Sequence, residues 1–195
     1  MSNSSWPAAW PVRLGDLAIT LPLVRSDDGF QIYAFDSMGR SAWNIAAAAA
    51  LAERLKPFAF DIVLTAESKS IALAEELARL LGQQEYVVLR KSRKLYMIDP
   101  LVMDVKSVTT AAPQKFYLGR EQQDLLRGKR VCVLDDVIST GGTLQAIYAL
   151  AKALPFTVAV NACVLTEETH WEAYDGVPVV RLDHIPLPAT SAYCE

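Results

Sequence analysis

From residue 60 to residue 182, short apolar runs alternate with stretches of helical periodicity, and this alternation constrains the fold more than any other feature. Apolar runs at 60–65, 85–89, 130–134, 156–165 and 177–182, with a shorter one near 116–118, read as strands. Between them, 70–81, closed by Gly82, and 143–154 read as helices. Strands joined through helices pair in parallel, cross over with a right hand and need cover on both faces. The expected fold is therefore α/β, a parallel twisted sheet flanked by helices, with ligands gathering at the carboxyl ends of the strands.

The rest of the chain surrounds that unit. Residues 17–23 are apolar, Ser26-Asp27-Asp28-Gly29 reads as a turn, and Phe30, Ile32 and Ala34 alternate with Gln31 and Tyr33, so 1–39 is expected to form a small subdomain built on a hairpin. Ser41 is a plausible N-cap for an Ala-rich helix that runs to Lys56 and is stopped by Pro57. Residues 90–114 hold Pro100, Pro113 and many polar groups and read as a long mobile loop, and 119–129 as a polar link. At 195 residues one domain spanning 1–195 is expected.

Composition narrows the classes. Hydrophobic residues at 52% and charged residues at 21% are globular values, and the longest nearly uncharged apolar stretch, 42–52, is too short to span a bilayer. The start has no basic leader followed by an apolar run, so no secretion signal is read. Cys132, Cys163 and Cys194 are odd in number and widely spaced, which fits reduced thiols and a cytoplasmic location. A net charge of −3 gives no general attraction to nucleic acid or an anionic membrane, so local clusters must carry any anion binding.

Chemistry concentrates in VCVLDDVISTGGTL, 131–144. An apolar strand ends in two carboxylates, Asp135 and Asp136, then turns through Val137, Ile138, Ser139, Thr140, Gly141 and Gly142 into a helix at Thr143. Glycines let the backbone approach closely, successive N–H groups point inward and the helix start adds partial positive charge, which makes a cup for a monophosphate. Hydroxyls of Ser139, Thr140 and Thr143 can donate to the same oxygens. Carboxylates repel phosphate but accept hydrogen bonds from the vicinal hydroxyls of a ribose. The two halves together describe ribose 5-phosphate.

This segment resembles the phosphoribosyl pyrophosphate (PRPP) motif of the type I phosphoribosyltransferases, near their adenine and xanthine branch. The resemblance covers roughly 41–165 and implies Mg²⁺-dependent transfer of the phosphoribosyl group to a nucleobase, a purine by preference, with release of pyrophosphate. It implies that Asp135 and Asp136 hold the ribose hydroxyls and the metal, directly or through water, and that 137–143 bind the 5-phosphate. Ala66, Glu67, Ser68, Lys69 and Ser70 follow a strand and open a helix, where N–H groups and the Lys69 ammonium can hold a second anion. Similar loops in the family bind pyrophosphate. Arg90, Lys91, Arg93 and Lys94 form a basic cluster past the next strand, comparable to a family stretch that meets pyrophosphate and often reaches a neighbouring subunit, which implies a homodimer.

Residues 95–114 resemble the family's flexible catalytic loop, with Lys106, Ser107, Val108, Thr109 and Thr110 over the site, closing to exclude water. Adenine enzymes carry a glutamate in this loop as a proton-transfer group; none occurs between Leu95 and Gln114, and Asp99 and Asp104 are weak substitutes. Trp6, Trp10 and Phe30 could stack on a base in a hood formed by 1–39. His170 and His184 have no metal-ligand partner at useful spacing. A PRPP-binding regulator without catalysis, or an orotate-type enzyme, would share the cup, and a panel of bases separates these readings.

Overall fold

The computed structural model describes residues 6–25, 31–105 and 114–188. The expected turn at Ser26–Gly29, Phe30, the loop residues Lys106 to Thr110 and Cys194 lie outside them.

A six-stranded sheet forms the centre. β4 (Ile62–Ala66), β5 (Val87–Leu89), β8 (Arg130–Ile138), β9 (Thr157–Glu167) and β11 (Val177–Ile185) are parallel, and the two-residue β10 (Ala173–Tyr174) adds an antiparallel edge, in the order β10-β11-β9-β8-β4-β5. β4 and β5 are apolar on both faces, as expected of strands with helices on either side. On one face lie α1 (Ser41–Leu55) and α2 (Ser70–Leu80), whose Leu51, Leu55, Leu73 and Leu77 pack on Val63, Cys132 and Leu134. On the other lie α3 (Arg120–Leu126) and α4 (Gly142–Ala153), whose Leu126, Leu144, Ile147 and Leu150 meet Leu64, Val131 and Val133.

Chain direction across the sheet reverses between β4 and β8. From β4 the chain crosses through α2 to the outer strand β5, whereas from β8 it crosses through α4 the other way to β9. The loops leaving β4 and β8 therefore part from each other and open a crevice at the carboxyl edge.

Several expectations are corrected in detail. Ser41 is the first residue of α1 and Arg40 stands at the cap position, because Asn44 takes up the Arg40 and Ser37 carbonyls with its side-chain amide and draws the helix start inward. The N-terminal subdomain is a three-stranded antiparallel sheet, β1 (Ala9–Leu14), β2 (Leu17–Arg25) and β3 (Gln31–Tyr33), with a strand more than the expected hairpin. Part of what reads as a long mobile loop is a strand: β6 (Leu101–Val105) pairs with β7 (Gln114–Leu118), and Met103 and Phe116 join the core on the α4 side. The polar link contains α3, which buries Gln123 and Leu126 and spends the Gln123 amide on the Leu118 and Asp99 carbonyls. No helix among the described residues is long and apolar enough to cross a membrane.

Candidate active site

The crevice at the sheet's carboxyl edge holds a cleft of about 350 Å³, lined at one end by Asp135, Asp136, Val137, Ser139 and Thr143. Facing them are Ala66, Glu67, Ser68, Lys69, Ser70 and Lys91, and Ile32, Tyr33 and Phe35 reach over it from the N-terminal sheet and the segment that follows. A volume of this size suits a small polar ligand. A larger, more apolar hollow of about 510 Å³ lies behind β5, between Val88, Tyr96, Met97, Ile98 and Gly119. It contains neither the acid pair nor the loop after β4, and the smaller cleft is the candidate site.

The acid pair follows the buried apolar run Val131–Leu134 of β8 and precedes its last two residues, Val137 and Ile138. Neighbours on a strand point to opposite faces, yet Asp135 and Asp136 both border the cleft because it lies across the strand end. Asp135 Oδ1 accepts hydrogen bonds from Ser70 Oγ at 3.0 Å and from the Asp136 N–H at 2.9 Å. α2 thus begins by gripping the carboxylate of the neighbouring strand. Just below, Thr65 Oγ1 donates to the Leu134 carbonyl at 2.8 Å and ties the two strand ends together. Burial first, and then the adjacent Asp136 carboxylate, hold the Asp135 pKa well above the ordinary range, against the two hydrogen bonds that favour its charge.

At the cup, Gly141 takes φ +79° and α4 begins at Gly142. A Cβ on Gly141 would stand 2.9 Å from the Trp171 ring, so both the conformation and the close approach require glycine. No side chain caps α4, which leaves its first N–H groups for an incoming anion. Ser139 and Thr143 face the cleft and Thr140 is exposed beside it. Ile138 departs from the sequence reading: its side chain is buried in the core against α4, so only its main chain can serve the cup.

The opposing loop is positioned by one ion pair and two hydrogen bonds. Glu67 accepts from the Lys91 N–H at 2.6 Å and pairs with Arg90 Nη2 at 3.3 Å, which locks the end of β5 against the loop after β4. Arg90 is thereby committed to Glu67, whereas Lys91 lines the cleft. Lys69 Nζ donates to the Phe35 carbonyl at 3.2 Å and bridges the loop to the segment after β3. Lys94 turns to Ser92 at 2.7 Å and is not part of the cleft wall, a departure that follows from the tight bend in which the Lys94 N–H also meets the Met97 sulfur.

Other candidates fall away. Trp6 and Trp10 pack against the apolar core, Trp10 on the ring of Tyr33, and neither enters the cleft; Ile32, Tyr33 and Phe35 do. Asp99 and Asp104 are exposed, and Asp104 pairs with Lys115 at 3.7 Å. Cys132 and Cys163 are free thiols buried in the sheet, their pKa values pushed up by that burial. No group of three or more His, Cys, Asp or Glu residues able to hold a metal occurs among the described residues.

One cleft residue was missed. Glu167 ends β9 and lines the cup end, where its carboxylate accepts a hydrogen bond from Ser139 Oγ. Burial raises its pKa and the Ser139 hydroxyl opposes the rise. The signal was available: like Asp135, Glu167 is an acid at the carboxyl end of an apolar strand.

Residues 37–185 match the phosphoribosyl transferase domain family. The chain is 31% identical to the adenine phosphoribosyltransferase of Xanthomonas campestris pv. campestris over 209 aligned positions, covering 98% of this chain and 95% of that protein. In fold it is similar to the adenine phosphoribosyltransferase of Thermoanaerobacter pseudethanolicus, with a TM-score of 0.70, 21% identity, and coverage of 85% of this chain and 95% of that one. The Trypanosoma brucei adenine enzyme, solved with AMP, pyrophosphate and ribose 5-phosphate, aligns with a TM-score of 0.57 at 22% identity, over 73% of this chain and 64% of that one. A parallel sheet with an acid pair and an anion cup at its switch point is the architecture of a nucleotide-handling α/β enzyme. The chain belongs to the phosphoribosyltransferase family.

Proposed function

We propose that this protein transfers the 5-phosphoribosyl group of PRPP to adenine, forming the nucleotide and releasing pyrophosphate. The observation that carries the reading is the single cleft in which Asp135, Asp136 and the Ser139–Thr143 turn face Lys69 and Lys91 across the sheet's switch point. Adenine is favoured as the base by the 31% identical adenine enzyme that matches along nearly the whole chain.

In this reading the uncapped start of α4, with Ser139 and Thr143, receives the 5-phosphate and orients the anomeric carbon. Asp136, and the Asp135 oxygen not engaged by Ser70, accept the ribose hydroxyls and face the positive charge that grows on the ring as the anomeric carbon's bond to pyrophosphate breaks and its bond to the base forms. Lys69 and Lys91, with the N–H groups of the loop after β4, receive the departing pyrophosphate. The base lies against the apolar wall of Ile32, Tyr33 and Phe35, the hood of the site.

The donor set also fits Mg²⁺. Two carboxylates with free oxygens are too few to enclose the ion, and Mg²⁺ is commonly held by one or two carboxylates together with substrate oxygens and water. Asp135 and Asp136 would hold it, and when bound it supplies charge neutralisation for the pyrophosphate. Exposed Leu95, Tyr96 and Ile98, on the segment just past Lys91 and Lys94, supply the apolar surface of a homodimer.

The test is pyrophosphate release when PRPP and Mg²⁺ are mixed with adenine, hypoxanthine, guanine, xanthine, orotate or uracil. Release with adenine above all others is expected. Release with another base alone would reassign the substrate. PRPP binding without release for any base would favour a regulator, a reading to which the absence of a glutamate at 95–114 lends support.

A further inference from the structure

Glu167 stands where a phosphate-binding site has least use for it. It is a carboxylate only 9% exposed, at the end of β9 and beside the cup, and it accepts a hydrogen bond from Ser139 Oγ. The β8–β9 register, which pairs Ile138 with Thr166, holds the two residues side by side. Glu167 is fixed within β9, and Ser139 is the first residue of the turn that follows β8.

We infer that Glu167 is an internal anion that competes with the 5-phosphate for the Ser139 hydroxyl, and so limits how tightly the cup holds a phosphate ester. The inference rests on the reading of the cup as the 5-phosphate site. A hydroxyl has one proton to donate. When Ser139 turns it to a phosphate oxygen, Glu167 becomes a buried carboxylate without that donor, close to a second anion. The penalty falls on the bound state alone, because in the free protein the Ser139 bond offsets the burial of the charge. Glu167 is thus a positioning residue that trades affinity for release. Its effect is exerted on substrate and nucleotide product alike, since both carry the same phosphate.

The design is testable because it predicts a gain. An ordinary structural partner of Ser139 would weaken phosphate binding when removed, whereas a competitor strengthens it. Glu167→Gln keeps the shape and removes the charge, and the dissociation constant for ribose 5-phosphate, measured by calorimetry, is expected to fall about fivefold or more. In a Ser139→Ala background the donor is already missing from the free protein and only the repulsion between the two anions remains, so the same substitution is expected to gain clearly less than it does with Ser139 present. Pyrophosphate, held at the other end of the cleft, serves as the control and is expected to bind both forms alike. Thermal denaturation verifies folding; should Glu167→Gln not fold, Glu167→Asp, which draws the charge back from Ser139, is expected to tighten binding more modestly.

The outcomes separate. If the wild-type protein binds no ribose 5-phosphate, the reading of the cup fails. If it binds but Glu167→Gln binds equally or more weakly, or gains as much with Ser139 absent, the competition is overturned.

Discussion

Asp135 holds the most unfavourable charge in the cleft. It lies deep in the protein beside a second carboxylate, and only Ser70 and one N–H favour its ionised form, so its pKa is raised. An acid with a raised pKa binds its proton more tightly when folded. That contribution to stability is complete below the unfolded value of about 4 and is lost as pH rises through the folded value. Asp135→Asn removes the titration. Without metal or substrate, the variant's melting temperature relative to wild type is expected to rise by roughly 3 °C between pH 5 and pH 8. The same substitution is expected to lower kcat/KM about a hundredfold or more, by deleting a group that faces charge in the transition state. A variant whose melting temperature tracks wild type at every pH, or that keeps full turnover, contradicts the assignment. Asp135 and Asp136 were legible in the sequence because strand, acids and turn are contiguous. Glu167 was not read because the apolar run before it stops at Leu165, two residues before the acid that ends β9, and its place beside Ser139 then follows from the pairing of β9 with the adjacent β8.

At the scale of elements, what a segment does locally was easier to read than what it does by pairing. α2 and α4 announced themselves through apolar spacing and the glycines at 82 and 141–142. β6 did not: LVMDV follows Pro100 and contains an acid, and it becomes a strand only because its Leu101 to Val105 find Leu118 to Gln114. β1 is hidden in the same way by Pro11, tolerated because β1 is an edge strand of its sheet. The α4 cup is local, and a single atom tests it. Gly141→Ala forces a side chain into φ +79° and against Trp171. The expected cost is about 1–3 kcal/mol, a fall in melting temperature of roughly 4 °C or more, with ribose 5-phosphate binding weakened at least tenfold because the N–H groups that face the anion move with the turn. Gly128, where a Cβ would meet nothing, is the control: Gly128→Ala carries only the backbone strain of φ +70° and leaves binding unchanged.

Across the whole molecule, polar chemistry and exposed apolar surface occupy different places. The cleft lies over the β4–β8 switch point, whereas Leu95, Tyr96 and Ile98 stand exposed on the stretch between β5 and β6, beside the apolar hollow bounded by Val88, Met97 and Gly119. Val102 on β6 is exposed as well. Three large apolar side chains exposed within four residues, beside a hollow whose wall also carries Arg90, Arg120, Glu121 and Asp124, suit a self-complementary two-fold contact, and isolated exposure of this kind is costly in a monomer. Lys91, which lines the cleft, lies four residues before Leu95, so a contact here would lie near the Lys91 end of the cleft. Sedimentation is expected to show a species of twice the chain's mass at micromolar concentration, and Leu95→Asp combined with Ile98→Asp is expected to halve it, since a buried unpaired carboxylate opposes burial more strongly than an apolar group favours it. A wild-type protein that sediments as a monomer, or a double variant that remains dimeric, would place the contact elsewhere. Because Lys91 is rooted through its N–H to Glu67, the monomeric variant is further expected to retain ribose 5-phosphate binding at the far end of the cleft.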